Sequence, residues 1–184
     1  TVIKLENLEE LHETVRRYGR IALIGDPGAG KTTTLERLAF DIATEATEDE
    51  HGLLPVFLRL GAYEGEDFSA FIETAFGGLS LADYLPERVF LLLDGLNETS
   101  PKHIPKIKEW IIRQTDVKLI VSCRRLDYMS LKLPLQRVDV NPLDVTRIHQ
   151  FIHNYLEDID TEQLFWALSG AETYASWEWL RKQN

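Results

Sequence analysis

Eight consecutive residues, Gly25, Asp26, Pro27, Gly28, Ala29, Gly30, Lys31 and Thr32, fit the pattern G-x-x-x-x-G-K-[ST] directly after the apolar run Ile21, Ala22, Leu23 and Ile24. Glycines let the backbone curl so that successive N–H groups point inward at phosphate oxygens, and a helix starting at Lys31 adds its positive dipole end. The ligand implied is a nucleoside triphosphate. Lys31 would reach the β- and γ-phosphates and the Thr32 hydroxyl would hold Mg²⁺, with Thr33 completing the cofactor-binding set.

Asp94 is the second position with chemical meaning. It closes the most continuous apolar run, Val89, Phe90, Leu91, Leu92 and Leu93, as expected of a central parallel strand covered on both faces. A carboxylate at the end of such a strand would complete the metal site with Thr32. Glu98, four residues on, could orient an attacking water. Arg124 ends a further apolar run, Leu119, Ile120, Val121, Ser122 and Cys123. A guanidinium at the carboxyl edge of a strand beside the phosphate loop could make charge-assisted bonds to phosphate. Lys31, Glu98 and Arg124 are therefore the expected catalytic residues, and Thr32 and Asp94 the expected metal ligands.

These residues need strands to deliver them and helices to cover the strands. Leu35, Leu38, Ala39, Ile42, Ala43 and Ala46 fall on one helical stripe after the loop, giving the strand-loop-helix order the motif requires. Leu5, Leu8, Leu11, Val15 and Tyr18 recur at helical spacing before Gly19 and predict a helix over 4–18. Strands are expected over 20–24, 53–60, 89–93, 118–122 and 136–140. Helices are expected around Phe68, Phe71 and Ile72, and around Ile104, Ile107 and Trp110. The alternation is that of an open α/β sheet. After Pro142 only helical patterns remain, so a boundary is expected between Asn141 and Leu143, with one domain over 1–142 and the start of a helical domain over 143–184. His149, His153 and Glu157 have metal-ligand spacing there, but a solvent-facing stripe explains the same spacing.

With 184 residues and 44% hydrophobic content the chain can bury a real core. Its formal charge of −10, from 30 acidic and 20 basic side chains, would repel nucleic-acid phosphates and anionic lipid, so neither partner is expected. No apolar stretch reaches the roughly 18 residues a membrane span needs. The single cysteine, Cys123, excludes an internal disulfide and agrees with a reducing compartment, so a cytoplasmic location is expected. The first residue is not Met, which suggests a piece of a longer protein.

The stretch from Val89 to Asp94, continued by Gly95, Leu96, Asn97 and Glu98, resembles the extended Walker B signature of the NACHT NTPases, a branch of the STAND class of signal-transduction ATPases. Asn97 stands where that family often has Asp, and Glu98 matches. Leu119 to Arg124 resembles the family's sensor strand, which implies that Arg124 senses the γ-phosphate. The stretch from Val138 to Leu143 is similar to the end of a NACHT core, and the resemblance covers most of 20–156. It implies a P-loop NTPase of three α/β/α layers, with a five-stranded parallel sheet of order 5-1-4-3-2 and a C-terminal helical segment. The implied activity is a nucleotide-dependent switch that binds ATP and ADP with Mg²⁺, hydrolyses ATP slowly and self-associates within a larger signalling or defence protein. Slow turnover follows because Gly95 stands where fast ATPases of related classes often hold a catalytic Glu. Winged-helix, repeat and effector regions are not visible, as expected of a fragment comprising the nucleotide-binding core. The alternative is a constitutive P-loop ATP-using enzyme, either a small-molecule kinase or a nucleic-acid remodeller. Neither the Arg-rich lid of the first nor the basic or aromatic substrate loop of the second is evident.

Overall fold

A computed structural model of the chain describes residues 2–5, 8–49, 51–78 and 88–141. Six parallel strands form one sheet: β1 (Val2–Leu5), β2 (Arg20–Gly25), β3 (Leu54–Arg59), β4 (Val89–Asp94), β5 (Lys118–Arg124) and β6 (Gln136–Val140), in the order β1-β6-β2-β5-β4-β3. Five α-helices accompany them among the described residues: α1 (Leu8–Tyr18), α2 (Lys31–Glu48), α3 (Phe68–Ala75), α4 (Ile104–Arg113) and the short α5 (Arg125–Tyr128).

The expected order 5-1-4-3-2 survives inside this sheet as β6-β2-β5-β4-β3, and the sixth strand is the correction. Residues 2–5 do not open the first helix. They pair with β6, Val2 opposite Arg137 and Leu5 opposite Val140, and α1 begins only at Leu8. Without β1 the backbone groups along one side of β6 would lack partners, and Val2 and Ile3 suit a pleated surface. Leu5 is buried against the same core as Leu11 and Val15 of α1, so its spacing from Leu8 satisfied both a helical and a strand reading.

Alternation along the strands builds two cores. Ile21, Leu23, Phe90, Leu92, Ile120 and Val138 meet α1 and α2 through Leu11, Val15, Leu35, Leu38 and Ile42. Ala22, Ile24, Leu91, Leu93, Leu119, Val121 and Cys123 meet α3 and α4 through Phe68, Ile72, Ile107, Trp110 and Ile111. All six residues of β4 are buried, the consequence of lying between helical layers on both faces. Each fully buried Leu or Phe contributes about 1.5–3 kcal/mol, so this rigid sheet is what holds the carboxyl edge in place.

Local signals set the ends of the elements. Asp67 caps α3, its carboxylate accepting from the N–H groups of Ser69 (3.0 Å) and Ala70 (3.1 Å). Arg20, at the start of β2, donates to the carbonyls of Ile111 (2.6 Å), Gln114 and Val117 (2.9 Å), satisfying the C-terminal end of α4. The described residues all belong to one unit, Thr1–Pro142. The helical segment expected over 143–184, with His149, His153 and Glu157, lies outside the described residues.

Candidate functional site

The loop after β2 turns on glycines. Gly28 and Gly30 have φ of 77° and 81°, the left-handed region where an L side chain is strained. A Cβ on either would meet nothing within 4 Å, so the constraint is backbone curvature rather than crowding. Gly25 differs: a Cβ there would come 3.2 Å from that of Ala29 and 3.4 Å from that of Val140, because the loop entry is pressed against the end of β6. Lys31 opens α2, and its Nζ donates to the carbonyls of Gly25 and Asp26, both at 2.9 Å.

Behind the loop stands a hydroxyl–carboxylate–hydroxyl chain. Thr32 Oγ1 donates to Asp94 Oδ2 (2.9 Å), and Ser122 Oγ donates to Asp94 Oδ1 (2.5 Å). Ser122 Oγ in turn accepts from the Gly95 N–H (2.8 Å). β5 thus fixes both the acid at the end of β4 and the turn that follows it. Asn97 Oδ1 accepts from the Arg124 N–H (3.0 Å), clipping the same turn to the end of β5. Gly95 has φ 77°, and the Glu98 carboxyl folds over it so closely that a Cβ on Gly95 would lie 2.9 Å from that group. Gly95→Ala is therefore expected to displace Glu98 and cost about 1–2 kcal/mol in backbone strain. Denaturant unfolding and an ATPase assay check this; a variant with parental stability would remove the tight turn from the account.

A cleft of about 360 Å³ opens on this edge, lined by Pro27, Gly28, Gly30, Lys31, Thr32, Thr33, Asp94, Gly95, Asn97, Glu98, Ser122 and Arg124. Every expected catalytic and metal-ligating residue is on that wall. Gly25, Asp26 and Ala29 belong to the same loop but are not among the lining residues. Burial, then the nearby Arg124 guanidinium, lower the Lys31 pKa from its ordinary value. Two cations that repel one another across a cleft favour an anion between them. Arg124 makes no ion pair with Asp127 among the described residues. Burial, then the Asp127 carboxylate, push the Cys123 thiol up to about 11, so at neutral pH it stays a core thiol rather than a nucleophile.

Two contributors escaped the sequence reading. Ser122 was visible only as a polar residue inside an apolar strand, and its use depends on Asp94, paired through β4–β5 contact. Arg125 follows Arg124 directly with no pattern of its own in the sequence, yet it forms an ion pair with Asp139.

A glycine loop feeding a helix at the carboxyl edge of a parallel sheet, with a hydroxyl and a strand-ending acid behind it, defines a P-loop NTPase. The family model of the NACHT domain matches residues 19–159, and the chain belongs to that family as a nucleotide-binding NTPase module. Among solved structures, Orc1 of Aeropyrum pernix in complex with DNA is similar at a TM-score of 0.63 and 16% identity, over 82% of this chain and 48% of that one. AMPPCP-bound DnaA of Aquifex aeolicus is similar at 0.50 and 19%, over 83% and 50%. Hsp104 with ATPγS and FITC casein is similar at 0.50 and 19%, over 79% and 29%. At these identities the likeness is one of fold, and the chain spans about half or less of the length of each. No curated protein matches the sequence. No helix among the described residues is long and apolar enough to cross a membrane.

Proposed function

We propose that the chain is the adenine-nucleotide switch core of a larger cytoplasmic signalling or defence protein. It binds ATP and ADP with Mg²⁺, hydrolyses ATP slowly and self-associates through the NTPase domain. The observation that carries this reading is the meeting of Lys31 and Arg124, from the loop and from β5, on one cleft wall beside Asp94. Residues 25–30 and the first amides of α2, through Thr33, cradle the phosphates; Lys31 neutralises them, and Arg124 reports whether a γ-phosphate is there.

The donor set fits Mg²⁺. Thr32 and Asp94 present a hydroxyl and a carboxylate oxygen 2.9 Å apart, hard oxygen ligands of the kind this ion takes. When bound, the ion supplies charge neutralisation at the β- and γ-phosphates. Glu98 orients the water. With no side chain at Gly95, the nearest carboxylate to Asp94 along the turn is that of Glu98, which folds over Gly95; slow turnover follows from the lack of a carboxylate directly after Asp94. Orc1 appears in a complex with DNA, but this chain's charge of −10 opposes phosphate-backbone contacts.

Calorimetric titration of MgATP, MgADP and MgGTP tests the reading. Selective binding of the adenine nucleotides is expected, and GTP preference or no binding overturns it. Glu98→Gln should lower turnover at least about tenfold with nucleotide affinity kept. Unchanged turnover would remove Glu98 from its role.

A further inference from the structure

β5 runs into two arginines with different partners. Arg124 lines the cleft, whereas Arg125 Nη1 donates to Asp139 Oδ2 on β6 at 2.5 Å. Asp139 is 5% exposed, and Arg137 fills the rest of its carboxylate, Nε to Oδ1 at 2.6 Å and Nη2 to Oδ2 at 2.9 Å. Burial alone would raise the Asp139 pKa, but the bonds from Arg137 and Arg125 outweigh it and leave the group below its ordinary value. The same Arg125 reaches back to the phosphate loop, its Nε 3.7 Å from Asp26 Oδ1.

An exposed pair at that distance is weak in isolation. Here the guanidinium is already fixed by a buried carboxylate, so little side-chain freedom is lost in holding Asp26 as well. The backbone of Asp26 is held as well, because its carbonyl accepts from Lys31. Asp139 lies opposite Ile24 in the sheet, and Val140 packs on Gly25. The loop entry and the end of β6 therefore share one set of contacts.

We propose that Arg125 is a positioning residue: anchored on Asp139, it holds the Asp26 end of the phosphate loop, so that nucleotide occupancy is transmitted to the end of β6. This rests on the nucleotide-binding reading above and adds how the site is tied to the last described strand. Arg124 would then read the phosphate while its neighbour carries the result away from it.

Arg125→Ala is a clean probe, since Asp139 keeps Arg137 and no buried charge is stranded. Calorimetry with MgADP and amide exchange are measured on the parent, Arg125→Ala, Asp26→Asn and the double variant. Arg125→Ala is expected to weaken MgADP about fivefold and to have no further effect once Asp26 is Asn. MgADP should slow exchange at residues 139–141 in the parent and not in Arg125→Ala. Arg125→Lys keeps the charge without the fork and should restore only part of the affinity. A purely structural arginine would lower the thermal midpoint of the free protein yet give additive effects with Asp26→Asn, which overturns the inference. Undiminished MgADP protection of 139–141 in Arg125→Ala does the same. A parent that binds no MgADP overturns the nucleotide reading and this inference with it, whereas a parent that binds with no such coupling overturns this inference alone.

Discussion

Lys31→Ala is expected to weaken MgATP binding by at least about a hundredfold while leaving a folded protein. Charge-assisted hydrogen bonds contribute about 1.5–3 kcal/mol each, and loss of two to phosphate oxygens corresponds to roughly two to four orders of magnitude in affinity. Part of that gain is offset in the parent, because Nζ must leave the Gly25 and Asp26 carbonyls that it now satisfies. The Asp26 carbonyl is exposed and the Gly25 carbonyl only part-buried, so water can replace the ammonium and the structural loss is about 0.5–1.5 kcal/mol per bond. Removing Lys31 also removes a charge whose pKa is lowered first by burial and then by Arg124, which further spares the free protein. Calorimetry and a thermal melt on the same sample separate the two effects. An affinity within about threefold of the parent would mean that the loop holds phosphate through its backbone alone, and Lys31 would lose its assigned role.

What the sequence made legible, and what it did not, divides along the range of the contacts. The phosphate loop is local: eight adjacent residues, an apolar strand before and an amphipathic helix after. Asp94 was legible because β4 is buried on both faces and so reads as an unbroken apolar run that an acid can only terminate. β1 was hidden because its partner, β6, lies more than a hundred residues away, and Leu5 fits a helical stripe as well as a strand. In Ser122 a hydroxyl within an apolar strand carries no local sign of its use; only the β4–β5 pairing, Leu93 opposite Val121, brings it to Asp94. Asn97 stood out as a departure from the family pattern, and its contact, the Arg124 N–H, explains how an amide can serve there: it accepts from backbone rather than carrying charge.

The same range argument governs Arg124 and Arg125. From the sequence they are adjacent basic residues after a strand, separable only by resemblance to a sensor motif. In the fold a short helix starts at Arg125, so the chain changes direction between them and sends one guanidinium to the cleft and the other to Asp139. The cluster of Arg125, Asp139 and Arg137 was invisible because Asp139 reads as a polar break in a short strand. It becomes interpretable only when β6 is laid beside β2.

Asp94→Asn should separate the metal's role from the structural one at this carboxylate. Asp94 is 7% exposed and accepts from both Thr32 and Ser122. An amide can keep both contacts, since its oxygen still accepts from one hydroxyl and its NH₂ donates to the other. The fold should therefore persist at a cost of about 1 kcal/mol. What cannot persist is the negative charge that, with the Thr32 hydroxyl, would hold Mg²⁺. Turnover is expected to fall at least about a hundredfold, and the preference for MgATP over ATP in EDTA should vanish, while affinity in EDTA stays at the parental level. Asp94→Ala supplies the contrast: it leaves the buried Ser122 hydroxyl without its acceptor and should cost about 1–3 kcal/mol more in stability for the same loss of turnover. If Asp94→Asn retained both turnover and metal preference, the ion would have to be held elsewhere, and the hydroxyl–carboxylate chain behind the loop would be a structural lock on the β4–β5 edge.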